Sequence, residues 1–179
     1  MKIYFWQEFV SPHIAYFINQ IASKGVKVNL VVEKIITLDR KKLGWERLNL
    51  PYFNLIIFKS FNDNLFKIVF SKDIIHICQG LLFNGFIKKV QSYLRGKNLK
   101  QWILMERVND HGLKGYFKRL IYSFLFLLWK KKITGILAIG SGSSEWYIDR
   151  GFNKQKIFPF AYFLNESIFL TKSNSINNP

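Results

Sequence analysis

Short apolar runs alternate along this chain with segments whose apolar residues follow a helical period. Residues 2–6 predict a strand, and Ser11-Pro12 predicts a helix N-cap followed by the first helical residue. The next apolar positions recur at the spacing of one buried helix face: Ile14, Phe17, Ile18, Ile21 and Ala22. Lys24-Gly25 predicts the end of this helix, and residues 26–32 predict a second strand. The opening is therefore a βαβ unit, for which a right-handed crossover is expected.

The alternation continues to the end of the folded part. Further strands are predicted at residues 52–58, 73–78, 101–105, 134–139 and 156–160, and helices at 61–70, 81–94, 113–132 and 143–149. Residues 33–51, around Trp45, are charged and irregular. The pattern predicts an α/β, Rossmann-like doubly wound fold, with a mostly parallel sheet of about six or seven strands and helices on both faces. We expect one domain over residues 1–165 and a polar tail or linker over 166–179.

The long helix carries two apolar stripes. The first is the expected core face: Phe117, Leu120, Ile121, Phe124, Leu125 and Leu128. On the other side Tyr122, Phe126 and Trp129 recur near basic residues, including Lys130 and Lys131. This second stripe predicts a contact with an anionic membrane surface. The alternative is a helix covered on both sides by protein, with the segment around Trp45 as one cover.

The charge is strongly positive, with 27 Lys and Arg against 11 Asp and Glu and a formal net charge of +16. Such a charge favours a polyanionic partner, namely nucleic acid, anionic lipid or a phosphate-bearing substrate. The alternative is compositional drift, since the basic residues are spread along the whole chain. No recognised nucleic-acid motif is present, so a nucleic-acid partner is not expected.

The remaining composition points to a reducing compartment. The one cysteine, Cys78, lies in an apolar run and has no Cys or His at metal-ligand spacing, so we expect a buried, inert thiol and no metal. Residues 120–129 are too few to span a bilayer, and the start shows no signal-peptide pattern. We expect a cytoplasmic protein that is at most peripheral at the inner face of the membrane.

In a doubly wound sheet the ligand site is built from loops that follow strands. The first such loop holds Ser11 and His13, and the spacing of His13 taken alone favours a surface or capping histidine over a ligand-binding one. The loop after residues 101–105 contributes Glu106, Arg107 and His111. A carboxylate, a guanidinium and an imidazole at one strand end can bind sugar hydroxyls or phosphate, or move a proton. The alternative is a polar loop in which Asp110 caps and Gly112 turns.

The turn at Gly140, Ser141 and Gly142 has the shape of a phosphate cradle at a helix start. It does not match a dinucleotide fingerprint, a P-loop or a hydrolase nucleophile motif. His76, within an apolar strand, is interpreted as a core histidine.

Three segments resemble the N-terminal, acceptor-side domain of two-domain GT-B glycosyltransferases, of the retaining glycosyltransferase family 4-like group that uses nucleotide-sugars. The opening βαβ reads FVSPHIAYFINQIASKGVKVNLVVE, the fourth strand reads DIIHICQG, and the closing passage reads GILAIGSGSSEWYIDRGFNKQKIFPFAYF. The last segment resembles the passage before the interdomain linker in that family. The likeness extends over roughly residues 1–165.

The resemblance implies a function as well as a fold. In that family this domain binds the acceptor, the C-terminal domain binds the nucleotide-sugar, and transfer takes place in the cleft between them. It implies a glycan or lipid-linked acceptor in bacterial cell-surface polysaccharide or glycolipid synthesis, with the nucleotide-sugar as co-substrate and no other cofactor. The catalytic residue stays unassigned. We expect a donor domain to be missing or separate and this chain alone to be inactive. The alternative is a non-catalytic basic α/β module that binds nucleic acid or anionic membrane.

Overall fold

The computed structural model describes residues 1–42, 50–60, 70–82 and 84–162. Within these ranges seven strands form one sheet in the order β3-β2-β1-β4-β5-β6-β7, and every neighbouring pair is parallel. The strands are β1 (Lys2–Phe9), β2 (Lys27–Lys34), β3 (Asn54–Ile57), β4 (Ile74–Gln79), β5 (Gln101–Glu106), β6 (Ile133–Ile139) and β7 (Ile157–Phe160). This sheet confirms the predicted class.

The helices connect the strands in the predicted order. They are α1 (Pro12–Ser23), α2 (Leu38–Lys42), α3 (Gly85–Gly96), α4 (Gly112–Trp129) and α5 (Ser143–Ile148), and a 3₁₀ turn at Lys154–Lys156 precedes β7. Ser11 is the N-cap of α1 and is followed by Pro12, as expected. Helix α3 begins later than predicted, because the Asn84 side chain accepts a hydrogen bond from the Ile87 N–H at 2.8 Å and caps it there. Trp45, most of the predicted helix at 61–70 and the predicted tail lie outside the described residues.

Alternate residues of each strand feed two hydrophobic cores on opposite faces of the sheet. Phe5, for example, belongs to the core that α1 covers, and its neighbour Trp6 belongs to the core that α3, α4 and α5 cover. At Gly135 an added Cβ would lie 2.4 Å from the Trp102 ring, so a side chain at this position of β6 would collide with that ring. The doubly wound arrangement thus has helices on both faces.

Helix α4 has the reverse orientation to the one predicted. Phe126 and Trp129 are 0% and 4% exposed, so the prediction that they contact a membrane is wrong. Tyr122 is half-buried and packs against Trp146, with ring centroids 5.3 Å apart. The stripe predicted to be the core face is largely exposed instead; only Leu125 of it is half-buried. Within the described part of the chain no helix is long and apolar enough to cross a membrane.

Candidate functional site

The strand order reverses direction between β1 and β4, and the carboxyl ends of these strands open a crevice. In doubly wound sheets ligands bind at this switch point. A cavity of about 640 Å³ lies there. Its lining comes from the ends of β1, β4 and β5, from the start of α1, and from Arg40, Tyr122, Ile139 and Tyr162. Four predicted site residues line it together: Ser11, His13, Glu106 and Arg107.

One wall of the cavity is a polar cluster that joins distant parts of the chain. The Tyr162 hydroxyl donates a hydrogen bond to Glu106 Oε1, and the His13 and Tyr162 rings lie 4.8 Å apart. Arg40 approaches from α2, with its guanidinium 5.5 Å from the centre of the Phe9 ring. The wall therefore offers an imidazole, a phenol, a carboxylate and a guanidinium to one ligand.

The electrostatics of this wall favour a neutral imidazole. Burial lowers the pKa of His13 below its ordinary value; the Glu106 carboxylate opposes this shift and the Arg40 guanidinium adds to it. Burial, and the hydrogen bond to Glu106, raise the pKa of Tyr162. At neutral pH His13 can thus accept a proton or a hydrogen bond, while Tyr162 remains a donor.

The cavity lining includes a buried hydrogen-bond acceptor. Gln7 is 2% exposed and lines the cavity, and its Oε1 has no hydrogen-bond partner among the described residues. A buried polar atom without a partner costs about 1–3 kcal/mol. The backbone N–H of the neighbouring residue Glu8 does have a partner, since it donates to Gln79 Oε1 at 3.0 Å. A hydroxyl of a bound ligand would satisfy Gln7.

Another part of the lining forms an apolar wall, which consists of Leu81, Met105, Val108 and Tyr122. The cavity therefore suits a ligand with a hydroxyl-rich or anionic part and an apolar part.

The loop that carries Arg107 is held by a buried ion pair. Asp110 accepts hydrogen bonds from Trp146 Nε1 and Arg150 Nη2, each at 2.9 Å. The hydrogen bond from Trp146 lowers the pKa of Asp110; burial opposes the shift, and Arg150, Arg119 and Arg107 support it. Gly115 completes the anchor, because a Cβ there would lie 1.8 Å from the Asp110 carbonyl oxygen. Asp110 therefore positions the loop.

Three predicted site residues lie outside the cavity lining. His111 is exposed and is the N-cap residue of α4, where its N–H donates to Asn109 Oδ1 at 3.3 Å. Gly140 and Ser141 are exposed in the turn after β6. At the start of α5, just after that turn, the Ser143 hydroxyl donates to the Ile139 carbonyl at 2.5 Å and accepts from the Arg107 N–H at 3.1 Å. This serine therefore secures the loop of Arg107.

Four residues of the cavity lining are not among the site residues predicted from sequence: Gln7, Arg40, Gln79 and Tyr162. Arg40 lies in the segment interpreted as irregular, and Tyr162 follows the last strand, so only the tertiary fold brings them to the cavity. For Gln7 a signal did exist, because a lone amide at the end of an apolar strand is a polar residue at a buried position.

Two titratable groups belong to the core, as expected. His76 is 1% exposed, its Nδ1 accepts from Trp6 Nε1 at 3.3 Å, and burial lowers its pKa to about 4 despite an opposing interaction with the Ser71 backbone. Cys78 is fully buried, and burial raises the pKa of its thiol.

No protein-family model matches the chain, and neither a curated protein nor a solved structure shows significant similarity to it.

Proposed function

We propose that the chain is the acceptor-binding half of a nucleotide-sugar-dependent glycosyltransferase. The observation that carries the proposal is the cavity at the switch point, which is lined by carboxylates, an imidazole and guanidinium groups together with an apolar wall. Sugar hydroxyls are bound by such planar polar groups, and an apolar wall accommodates an aglycone or a lipid chain. The resemblance of the three sequence segments to the acceptor-side domain supports the same function.

Different side chains of the cavity would bind different parts of the acceptor. Gln7 and Glu8 present acceptors to acceptor-sugar hydroxyls, while Arg40 and Arg107 attract a phosphate or carboxylate of an anionic glycan. His13, kept neutral by its lowered pKa, can accept a proton from a hydroxyl as it reacts. The proposal places the reaction in the cytoplasm, with the nucleotide-sugar supplied by a donor domain that closes the cleft. Transfer requires both domains, because the reaction depends on holding the acceptor and the nucleotide-sugar in one geometry.

Reconstitution tests the proposal. The chain is mixed with the separately produced donor domain of a retaining GT-B enzyme, and release of UDP from UDP-glucose is measured with a panel of octyl glycosides as acceptors. Release should require both proteins and an acceptor. It should fall about tenfold or more in Arg107→Ala, the loss expected for a charged ligand contact.

The matched control is Lys154→Ala, which removes an exposed cation at the amino end of β7, away from the cavity. It should leave the rate unchanged. If size-exclusion chromatography shows that the two domains associate and no member of the panel is glycosylated, the proposal is contradicted.

A further inference from the structure

The outward face of α4 is a continuous apolar strip. It contains eight large apolar side chains, with exposures from 51% for Leu120 to 84% for Leu113: Leu113, Tyr116, Phe117, Leu120, Ile121, Phe124, Leu127 and Leu128. At 100° per residue these positions fill one arc of the helix with no polar residue among them. Monomeric proteins rarely expose a contiguous apolar patch of more than a few hundred Å², so the strip indicates a partner.

Basic residues border the strip. Lys114 adjoins it on one side and Lys130 on the other, both exposed, and Lys131 follows just past the helix end. From residue 107 to residue 132 the chain has seven basic residues and one acid, Asp110, which is buried against Arg150. An apolar face bordered by cations is the pattern of a helix that lies in the interface of an anionic membrane.

We propose that α4 docks flat on an anionic lipid bilayer through this strip, which lies opposite to the stripe predicted from sequence. The helix is already formed, because Phe126 and Trp129 fix its inner face to the protein. Its eighteen residues give a length of about 27 Å, along which all eight apolar side chains can enter the acyl boundary together.

A second copy of the chain fits the strip less well. An antiparallel pair of α4 helices would place Lys114 of one protomer beside Lys130 and Lys131 of the other, and a parallel pair would oppose identical lysines. Either arrangement brings like charges together at the rim of the contact. Lipid phosphates would neutralise the same residues.

The docking surface adjoins the cavity. Tyr122 lines the cavity wall, while its neighbour Ile121 is 56% exposed in the strip. A docked helix would hold the apolar wall of the cavity near the lipid surface, where an acceptor with a lipid anchor is found. The docking itself rests on α4 alone and does not depend on the proposed sugar transfer.

Vesicle flotation tests the proposal with the full chain. Vesicles of phosphatidylcholine with about one third phosphatidylglycerol should carry the protein to the top of the gradient at low salt, and pure phosphatidylcholine vesicles should carry much less. Leu120→Glu and Phe124→Glu should each lower the partition coefficient about tenfold or more. Lys114→Gln combined with Lys131→Gln should weaken binding to anionic vesicles and reduce its salt dependence.

The matched control is Tyr52→Glu, which adds the same charge at a residue that is 62% exposed next to β3, at the far edge of the sheet. It should float like the unmodified protein, and circular dichroism should show that all variants are folded. Absence of flotation overturns the proposal, as does a concentration-dependent dimer that Leu120→Glu dissociates while vesicle binding is unaffected.

Discussion

Asp110 and Arg150 form a buried ion pair, with Oδ2 and Nη2 2.9 Å apart and a separation of 40 positions along the chain. Trp146 donates to the same carboxylate oxygen, and the Arg150 guanidinium lies 4.2 Å from the centre of the Trp146 ring. The pair connects the loop after β5, which carries Arg107 into the cavity, to the end of α5. The geometry of the candidate site thus depends on a contact outside it.

Asp110→Asn should destabilise the protein by roughly 3 kcal/mol, because it leaves the Arg150 guanidinium buried without its counter-charge. Chemical denaturation measures the change. Asp149→Asn is the matched control: Asp149 also approaches Arg150, at 3.6 Å, but its side chain is 71% exposed. Its loss should change the free energy of unfolding by less than about 0.5 kcal/mol. Equal effects of the two substitutions would contradict the assigned role of Asp110.

Phe126 and Phe124 lie two positions apart on α4, and their substitution by alanine should lower the free energy of unfolding by very different amounts. Phe126 is fully buried against Tyr147 and Phe152, so Phe126→Ala should cost about 3–5 kcal/mol. Phe124 is 60% exposed, so Phe124→Ala should cost less than about 1 kcal/mol. Thermal or urea unfolding of both variants measures the difference. The reverse order would restore the orientation of α4 predicted from sequence.

Lowering the pH should destabilise the fold through His76. Its folded pKa, about 4, lies below the ordinary histidine pKa of 6.5 that applies to the unfolded chain, so the unfolded chain binds more protons between these values. The contribution of His76 is therefore fully present above about pH 6.5 and is lost as the pH falls towards 4, by about 3 kcal/mol in total. Urea unfolding from pH 7 to pH 4.5 measures this loss. In His76→Gln the loss over this range should be smaller, and an unchanged pH profile would contradict the account.

Gln7→Leu should separate stability from function. Leucine has a similar volume and leaves no unpartnered buried oxygen, so the free energy of unfolding should stay equal or rise by up to about 1 kcal/mol. Acceptor binding should weaken, because the cavity loses an acceptor for a sugar hydroxyl. Unfolding curves and glycoside titrations measure the two effects. A destabilised protein with normal binding would show that Gln7 serves the fold instead.

The topology was predictable because each buried strand is a short apolar run between turn residues. Ile77 and Cys78 in β4 illustrate this, since a strand with helices on both faces must be apolar on both sides. The orientation of α4 was not predictable. Both stripes of that helix are apolar, and periodicity alone cannot show which one the protein covers. The stripe that contains Tyr122 and Phe126 is covered because these two rings pack against aromatic rings of α5 and against Phe152.

The site was predictable in part for a similar reason. His13 follows β1 and Arg107 follows β5, two strands of one parallel sheet, and the carboxyl ends of parallel strands lie at one edge. Arg40 and Tyr162 reach the cavity from segments without a periodic pattern, so their positions depend on tertiary packing. The glycine-rich turn after β6 had the right composition for an anion site, but its exposed residues lie beside the cavity and not in it.

Direct binding of sugars to the cavity tests the central claim. Saturation-transfer NMR on the full chain with a panel of octyl glycosides of common hexoses, each present below its micelle-forming concentration, reports which sugars bind and through which protons. We expect at least one glycoside to bind, Arg107→Ala and Gln7→Leu each to weaken its binding about tenfold, and Lys154→Ala to leave its binding unchanged. Binding that neither cavity substitution affects, or no binding by any glycoside, would contradict the claim.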